Sequence, residues 1–220
     1  QLRKHLVSRG YIFRDNCDGN VIAPLFEIYG EGFVKHLDGM FAIAIIDERK
    51  GADLHIYTDP AGIKSVYYSE CDDQTIIFAS EINGLSSLAN EPLLVNSNAV
   101  FDYLSLRAIC GEATIFDGIK TLGPSRHLKC ILGGNPEVST YSTFIQAPDP
   151  GKSLSEAGLQ LCNLLNVEIK SMLDADVPVC VVTSGGLDST LISAIAAQHV
   201  ENLHSFHVCY KGTWPSDERA

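Results

Sequence analysis

Residues Val177–Thr190 read Val-Pro-Val-Cys-Val-Val-Thr-Ser-Gly-Gly-Leu-Asp-Ser-Thr, and no other stretch restricts the fold so tightly. Val177–Thr183 is a short apolar, mostly β-branched run, which predicts a strand buried on both faces. Pro178 is tolerated at the start of such a strand, where a missing N–H does no harm. Ser184-Gly185-Gly186 breaks the run with residues that turn easily and carry little side chain. From Ser189 the residues Ser-Thr-Leu-Ile-Ser-Ala-Ile-Ala-Ala-Gln-His predict a helix. A second strand is expected over Leu203–Tyr210, which makes a βαβ unit and a parallel sheet with a right-handed crossover. A bare turn between strand and helix N-terminus gathers backbone N–H groups at a positive dipole end, an anion site that suits phosphate. Ligands of open α/β sheets sit beyond the carboxyl ends of the strands. There Asp188 is a hard carboxylate able to hold Mg²⁺ against phosphate oxygens, and the Ser184 and Ser189 hydroxyls can donate to the same anion.

The loop has neither the Gly-x-x-x-x-Gly-Lys-[Ser/Thr] pattern nor Gly-x-Gly-x-x-Gly. Ser184-Gly-Gly-Leu-Asp-Ser189 instead resembles the pyrophosphate loop of the ATP pyrophosphatase (PP-loop) family, whose members cleave ATP to AMP and pyrophosphate. The bland alternative is a glycine turn, and the ordered run of six residues between strand and helix outweighs it.

Composition fits a small-molecule enzyme. The chain is 220 residues long, 45% hydrophobic, with 16 Lys plus Arg against 27 Asp plus Glu and a net charge of −11. That is enough for one large or two small domains with real cores. The acidic balance argues against a nucleic-acid surface, and no apolar run approaches the roughly 20 residues of a membrane span. Seven scattered Cys without a Cys-x-x-Cys pattern read as reduced thiols of a cytoplasmic protein, with Cys180 and Cys209 as strand filler. His204 and His207 are expected on opposite faces of the second strand, which argues against a shared metal.

The first part of the chain has a different rhythm. Leu2–Ser8 has helical spacing. Asp18 or Asn20 is placed to cap a helix carrying Val21, Ile22, Leu25, Phe26 and Tyr29, in which Pro24 is awkward. Met40–Asp47, Leu54–Thr58, Val66–Ser69 and Thr75–Ala79 then alternate with short connections, which predicts a four-stranded antiparallel meander. A short helix to Leu88, a helix over Ala99–Ile109 capped by Asn98, and short strands at Ile115–Phe116 and Arg126–Leu132 follow. Ala147-Pro-Asp-Pro-Gly-Lys152 reads as a linker, and Ser153 opens a helix with Ser155 and Glu156 near its start.

Leu37-Asp-Gly-Met-Phe-Ala42 with Asp47 and Arg49, Asp59-Pro-Ala-Gly-Ile-Lys64, Tyr67-Tyr68 and Phe78-Ala-Ser-Glu-Ile82 are similar to the glutaminase domain of class II glutamine amidotransferases. Thr114-Ile-Phe-Asp-Gly-Ile-Lys120, Leu122-Gly-Pro124, Asp176-Val-Pro-Val179, the Ser184–Ser189 loop and Asp217-Glu218 resemble, in order, segments of glutamine-dependent asparagine synthetases. The resemblance implies an α+β module followed by an α/β module. The first, residues 1–147, would be an incomplete antiparallel glutaminase domain of the Ntn type (αββα). The second, residues 148–220, would be the start of a parallel-sheet PP-loop domain.

It also implies ATP and Mg²⁺ as cofactors, glutamine, aspartate and ATP as substrates, and a homodimer as the candidate assembly. By position it assigns Asp18 to the α-amino group of glutamine. Ser184, Gly185, Gly186, Leu187, Asp188 and Ser189 go to pyrophosphate, Asp188 to Mg²⁺, and Val182 and Val208 to the adenosine. The family's N-terminal nucleophilic cysteine has no counterpart here, where Gln1 stands first. The resemblance therefore implies a chain truncated at both ends that by itself neither hydrolyses glutamine nor makes asparagine. Asn20, Thr58, Ala61 and Ser65 depart from the family's usual glutamate, arginine, bulky apolar residue and proline. Those departures suggest a non-catalytic homologue as one alternative, and another amide-forming ligase, such as a β-lactam or sugar-amide synthetase, stays open as a second.

Overall fold

The computed structural model describes residues 1–49, 51–71, 75–88, 92–131, 133–143 and 151–208. The chain divides into two compact units, Gln1–Ile145 and Gln146–Ala220. Most of the expected linker, together with Cys209, Tyr210 and the Asp217-Glu218 pair, lies outside the described residues.

The first unit opens with α1 (Leu2–Ser8) and α2 (Ile22–Tyr29), with 3-10 segments at Asp18–Val21 and Gly30–His36. Asp18 caps nothing with its side chain. Pro24 is the third residue of α2 and so lies inside its first turn, where a backbone N–H has no helical acceptor to lose. Strands β1 (Ala42–Asp47), β2 (Asp53–Thr58), β3 (Tyr67–Glu70) and β4 (Ile76–Ala79) follow. Next come α3 (Ile82–Ser86), α4 (Ser97–Leu106), β5 (Ile119–Thr121), β6 (Arg126–Cys130) and β7 (Glu137–Thr140).

The strands do not form the expected meander. They form two antiparallel sheets, β1-β2-β6-β7 and β4-β3-β5. The free edge of β2 is taken by β6, and Asp59 turns the chain away before β3 can reach it. Ile115–Phe116 is not a strand; Phe116 makes an isolated bridge to Val95. The cap of α4 is Asn96 rather than Asn98, its side chain accepting from Asn98 N–H and Ala99 N–H, and the helix ends at Arg107 in the left-handed region.

The central strands of the larger sheet, β2 and β6, are covered on both faces. Tyr57, Ile43 and Ile45 pack with Leu6, Leu25, Phe26, Phe33 and Val34 of the helical layer. Ile56, Leu128 and Cys130 pack with Val66, Tyr68 and Leu122 on the other face, next to the smaller sheet. Both neighbours in β2, Ile56 and Tyr57, are therefore buried, as a central strand requires.

Asp59, fully buried at the end of β2, joins these layers. Its carboxylate accepts backbone N–H bonds from Ala61 (3.1 Å) and Ile63 (3.0 Å) on Oδ1, and from Lys64 (2.9 Å) and Phe41 (3.3 Å) on Oδ2. Its backbone N–H donates to Phe41 O, and its carbonyl accepts from Gly62 and Ser125. Burial pushes its carboxyl up, and the four amide bonds outweigh that, holding it below the usual carboxylate range. Gly62, at φ +66, lets the turn close on Pro124, whose Cβ lies 3.1 Å from where a side chain would begin.

Two histidines lie in the same core. His55 Nδ1 and His127 Nε2 are 3.0 Å apart, and the His127 ring stacks on Tyr57 at 4.2 Å. Burial lowers the pKa of both, and that of His127 falls to about 4, with the neighbouring His55 as the second cause.

In the second unit α5 (Leu154–Met172) starts at a capping box in which Ser153 and Glu156 bond reciprocally. Strand β8 (Cys180–Val182), helix α6 (Leu187–Ala196) and strand β9 (His204–Phe206) complete the described part, with β8 and β9 parallel. The strands are shorter than expected and β8 is not buried on both faces. Val181 packs into the cluster of Ile169, Ile195 and Ala196, while Cys180 and Val182 on the opposite face are exposed. Among the described residues only one face of the pair has helices against it, so Cys180 is not core filler. No helix among them is long and apolar enough to cross a membrane.

Two outcomes follow from the first unit. Asp59→Asn halves the acceptor capacity and places an amide among donors, so it should destabilise the unit by about 3 kcal/mol in urea unfolding; a cost under about 1 kcal/mol would contradict the hub. The unfolded histidines take protons near pH 6.5, which the folded core refuses. Stability should therefore be full above about pH 6.5 and fall toward pH 4, with His127 contributing about 3 kcal/mol. Melting followed from pH 7.5 to 4 should show that loss, and His127→Gln should reduce it.

Candidate functional site

The residues singled out by the sequence fall in two places, one in each unit. In the first unit a cleft of about 730 Å³ is lined by Asp18 and Gly19 at the start of the 3-10 segment, by the His36–Phe41 stretch, and by Arg3, Val21, Ile22 and Ile43. Asp18 and Leu37-Asp-Gly-Met-Phe41, far apart in the chain, thus share one wall-to-wall space. The hydrogen bonds between Phe41 and Asp59 anchor this wall to the core, so the Asp59-Pro-Ala-Gly motif acts beneath the cleft and not in it.

The departures at positions 58 and 20 have local roles. Thr58 is fully buried; its hydroxyl donates to Gly123 O at 2.6 Å and accepts from Arg126 N–H at 3.1 Å. Asn20 Nδ2 donates to Asp15 Oδ1 at 2.6 Å, a bond that a carboxylate at this position could not supply. Ala61 and Ser65 are exposed, so their small side chains leave no hole in the core.

In the second unit the loop stands at the carboxyl ends of the parallel strands. Helix α6 begins at Leu187, two residues earlier than expected, with Gly186 as its N-cap, so Asp188 sits in the first turn. Gly185 takes φ +89, where a side chain would be strained. The two serines hold the loop from within. Ser184 N–H donates to Ser189 Oγ (3.2 Å), Gly186 N–H donates to Ser184 Oγ (3.2 Å), and Ser189 Oγ donates to Gly186 O (3.2 Å).

The remaining amides of Gly185, Leu187 and Asp188 carry no hydrogen bond among the described residues, and the Asp188 carboxylate is exposed with none either. The arrangement offers unbonded amides at the positive end of a helix, two hydroxyls that can re-aim, and one exposed carboxylate. Val182 and Val208 are exposed at the strand ends, at 72% and 71%.

The strand ends are tied by contacts that sequence reasoning missed. Thr183 N–H donates to Phe206 O, its hydroxyl meets Ser205 Oγ at 3.1 Å, and His207 Nδ1 lies 2.6 Å from Thr183 O. His207 stands beyond the end of β9 rather than on one of its faces. Its pairing depends on the register of two strands, which leaves no mark in the local sequence. No group of three or more His, Cys, Asp or Glu able to hold a metal occurs among the described residues.

A family model described as the glutamine amidotransferase domain matches residues 1–142. The chain belongs to that family. A second model, described as asparagine synthase, matches residues 160–220. Two Bacillus subtilis (strain 168) proteins are similar along almost the whole of this amidotransferase chain. Asparagine synthetase [glutamine-hydrolyzing] 3 is 30% identical over 216 residues, covering 96% of this chain and 34% of its own length. Asparagine synthetase [glutamine-hydrolyzing] 1 is 28% identical over 214 residues, covering 96% and 33%. The chain thus spans about a third of the length of these relatives. Among solved structures, a glutamine phosphoribosylpyrophosphate amidotransferase from B. subtilis aligns with a TM-score of 0.42 at 16% identity, over 94% of this chain and 42% of that one. That likeness is too loose to bear on the fold.

Proposed function

We propose that the protein is a glutamine-hydrolysing asparagine synthetase, in which one site releases ammonia from glutamine and a second joins it to aspartate at the expense of ATP. The observation that carries this reading is the loop of the second unit. Amides of Gly185, Leu187 and Asp188 without a hydrogen bond among the described residues, two serine hydroxyls and an exposed carboxylate stand at the carboxyl end of a parallel strand pair. The fold reading that goes with it is an Ntn-type glutaminase domain up to about residue 147 and a PP-loop domain after it. The scattered thiols suit a cytoplasmic enzyme.

On this reading an oxygen of the aspartate side-chain carboxylate attacks the α-phosphorus of ATP, and the bond to pyrophosphate breaks. The loop amides and the Ser184 and Ser189 hydroxyls take up the charge that develops on the leaving pyrophosphate. The backbone amides are in place before the reaction, so only the two hydroxyls re-aim when the charge appears. Ammonia then attacks the acyl carbon of β-aspartyl-AMP, and AMP leaves.

Val182 and Val208 supply apolar surface for the adenosine. Asp188 suits Mg²⁺, a hard ion that accepts one carboxylate when phosphate oxygens and water complete its shell; the ion, when bound, neutralises phosphate charge. In the first unit Asp18 is the carboxylate for the α-amino group of glutamine.

Aspartate-dependent exchange of labelled pyrophosphate into ATP by the full-length protein tests the proposal. Exchange should require both aspartate and Mg²⁺, and Asp188→Asn should slow it by roughly 100-fold or more. Exchange that proceeds with other carboxylic acids and not with aspartate would assign a different acceptor. No exchange with any acid would overturn the reading.

A further inference from the structure

The clefted side of the first unit contains a device that the assigned residues do not explain. Arg3, on α1, directs its guanidinium at the irregular segment before Asp18. Nη1 donates to Asp15 O and to Asn16 Oδ1 (3.3 Å), and Nη2 donates to Cys17 O (2.9 Å). The guanidinium also lies over the Phe13 ring, 4.9 Å from its centroid, which fixes its plane.

The same segment is held from the inside by Asp15, whose Oδ1 accepts from Cys17 N–H (2.8 Å) and from Asn20 Nδ2 (2.6 Å). The peptide units on both sides of residue 16, and the residue just before Asp18, are therefore clamped from two directions. Asp18 itself makes no side-chain cap and lines the cleft.

We infer that Arg3 and Asp15 form a positioning latch that sets Asp18 at the angle needed to receive the α-amino group of a glutamine-like ligand. This rests on the reading of Asp18 given above. Arg3 lines the cleft too, and a direct role on a ligand carboxylate is the obvious alternative. Against that, both terminal nitrogens of its fork are already committed to main-chain carbonyls and an amide oxygen, so it acts through the segment it holds.

The latch also accounts for Asn20. A side-chain amide can donate to Asp15, whereas a carboxylate there would face a second carboxylate. The stacking, the fork and the Asx-type contact together restrain a segment that has no regular secondary structure of its own between Tyr11 and Cys17.

The test is a calorimetric titration of the protein with glutamine and with glutaramate, the same molecule lacking the α-amino group. Wild type should prefer glutamine. Arg3→Ala should lower that preference by about tenfold, roughly the loss expected when a charge-assisted contact is misaligned. Arg3→Lys should behave like Arg3→Ala, because a single ammonium cannot span three acceptors. Asp15→Ala, which loosens the segment without touching Arg3, should lower the preference as well.

Equal losses for both ligands in Arg3→Ala, or rescue by Arg3→Lys, would overturn the latch and favour a direct charge on the ligand carboxylate. An unchanged preference in both Arg3→Ala and Asp15→Ala would overturn it too. If wild type itself shows no preference for glutamine, the assignment of Asp18 fails, and the latch with it.

Discussion

A single buried carboxylate holds the first unit together. Among the described residues no ion pair reaches Asp59; four backbone N–H groups bond it instead, drawn from the start of β1 and from the turn that leaves β2. A charge removed from water is tolerated only if such bonds replace hydration. The requirement fixes where β1, β2 and the 61–64 turn meet. Ser125, donating to the Asp59 carbonyl, brings the segment before β6 to the same point, and Tyr141 reaches Thr58 O at 2.5 Å. The larger sheet and the wall of the cleft inherit their geometry from this cluster.

The second unit works by a different economy of bonds. Its loop is exposed and is held by hydroxyl contacts of 3.1–3.2 Å that can be exchanged for others, with no buried charge. The serines satisfy two of the loop amides from within, and those of Gly185, Leu187 and Asp188 have no bond among the described residues. Such a loop is already shaped before an anion arrives, so less ordering entropy opposes binding. The tie between Thr183, Ser205 and His207 fixes the point from which the loop departs.

Much of this was legible in the chain. Periodicity located β1 to β4, the start of α5 and the strand–turn–helix of the second unit, because each carries a local pattern that burial imposes. The sheet order was not legible. Whether β2 pairs with β3 or β6 depends on Asp59 turning inward, and nothing in Asp59-Pro-Ala-Gly reports its four partners. Strand β7 escaped notice because all four of its residues are exposed, so no alternation marks it. The run Val177–Thr183 overstated burial, since composition records what a strand could cover and not which faces have neighbours. Asp18 could be tied to the Leu37–Phe41 stretch only through family resemblance until the fold brought both to one cleft. Arg3 carried no signal, because its acceptors lie 12 to 14 residues away in an irregular segment.

The central claim is that the free amides of the second unit are a diphosphate site. Titrating ¹⁵N-labelled protein with pyrophosphate in magnesium buffer measures it most directly. The account predicts saturable shifts centred on the amides of Gly185, Leu187 and Asp188, with the Asp18 cleft unaffected. Shifts that never saturate, or that leave those three amides unmoved, would contradict it.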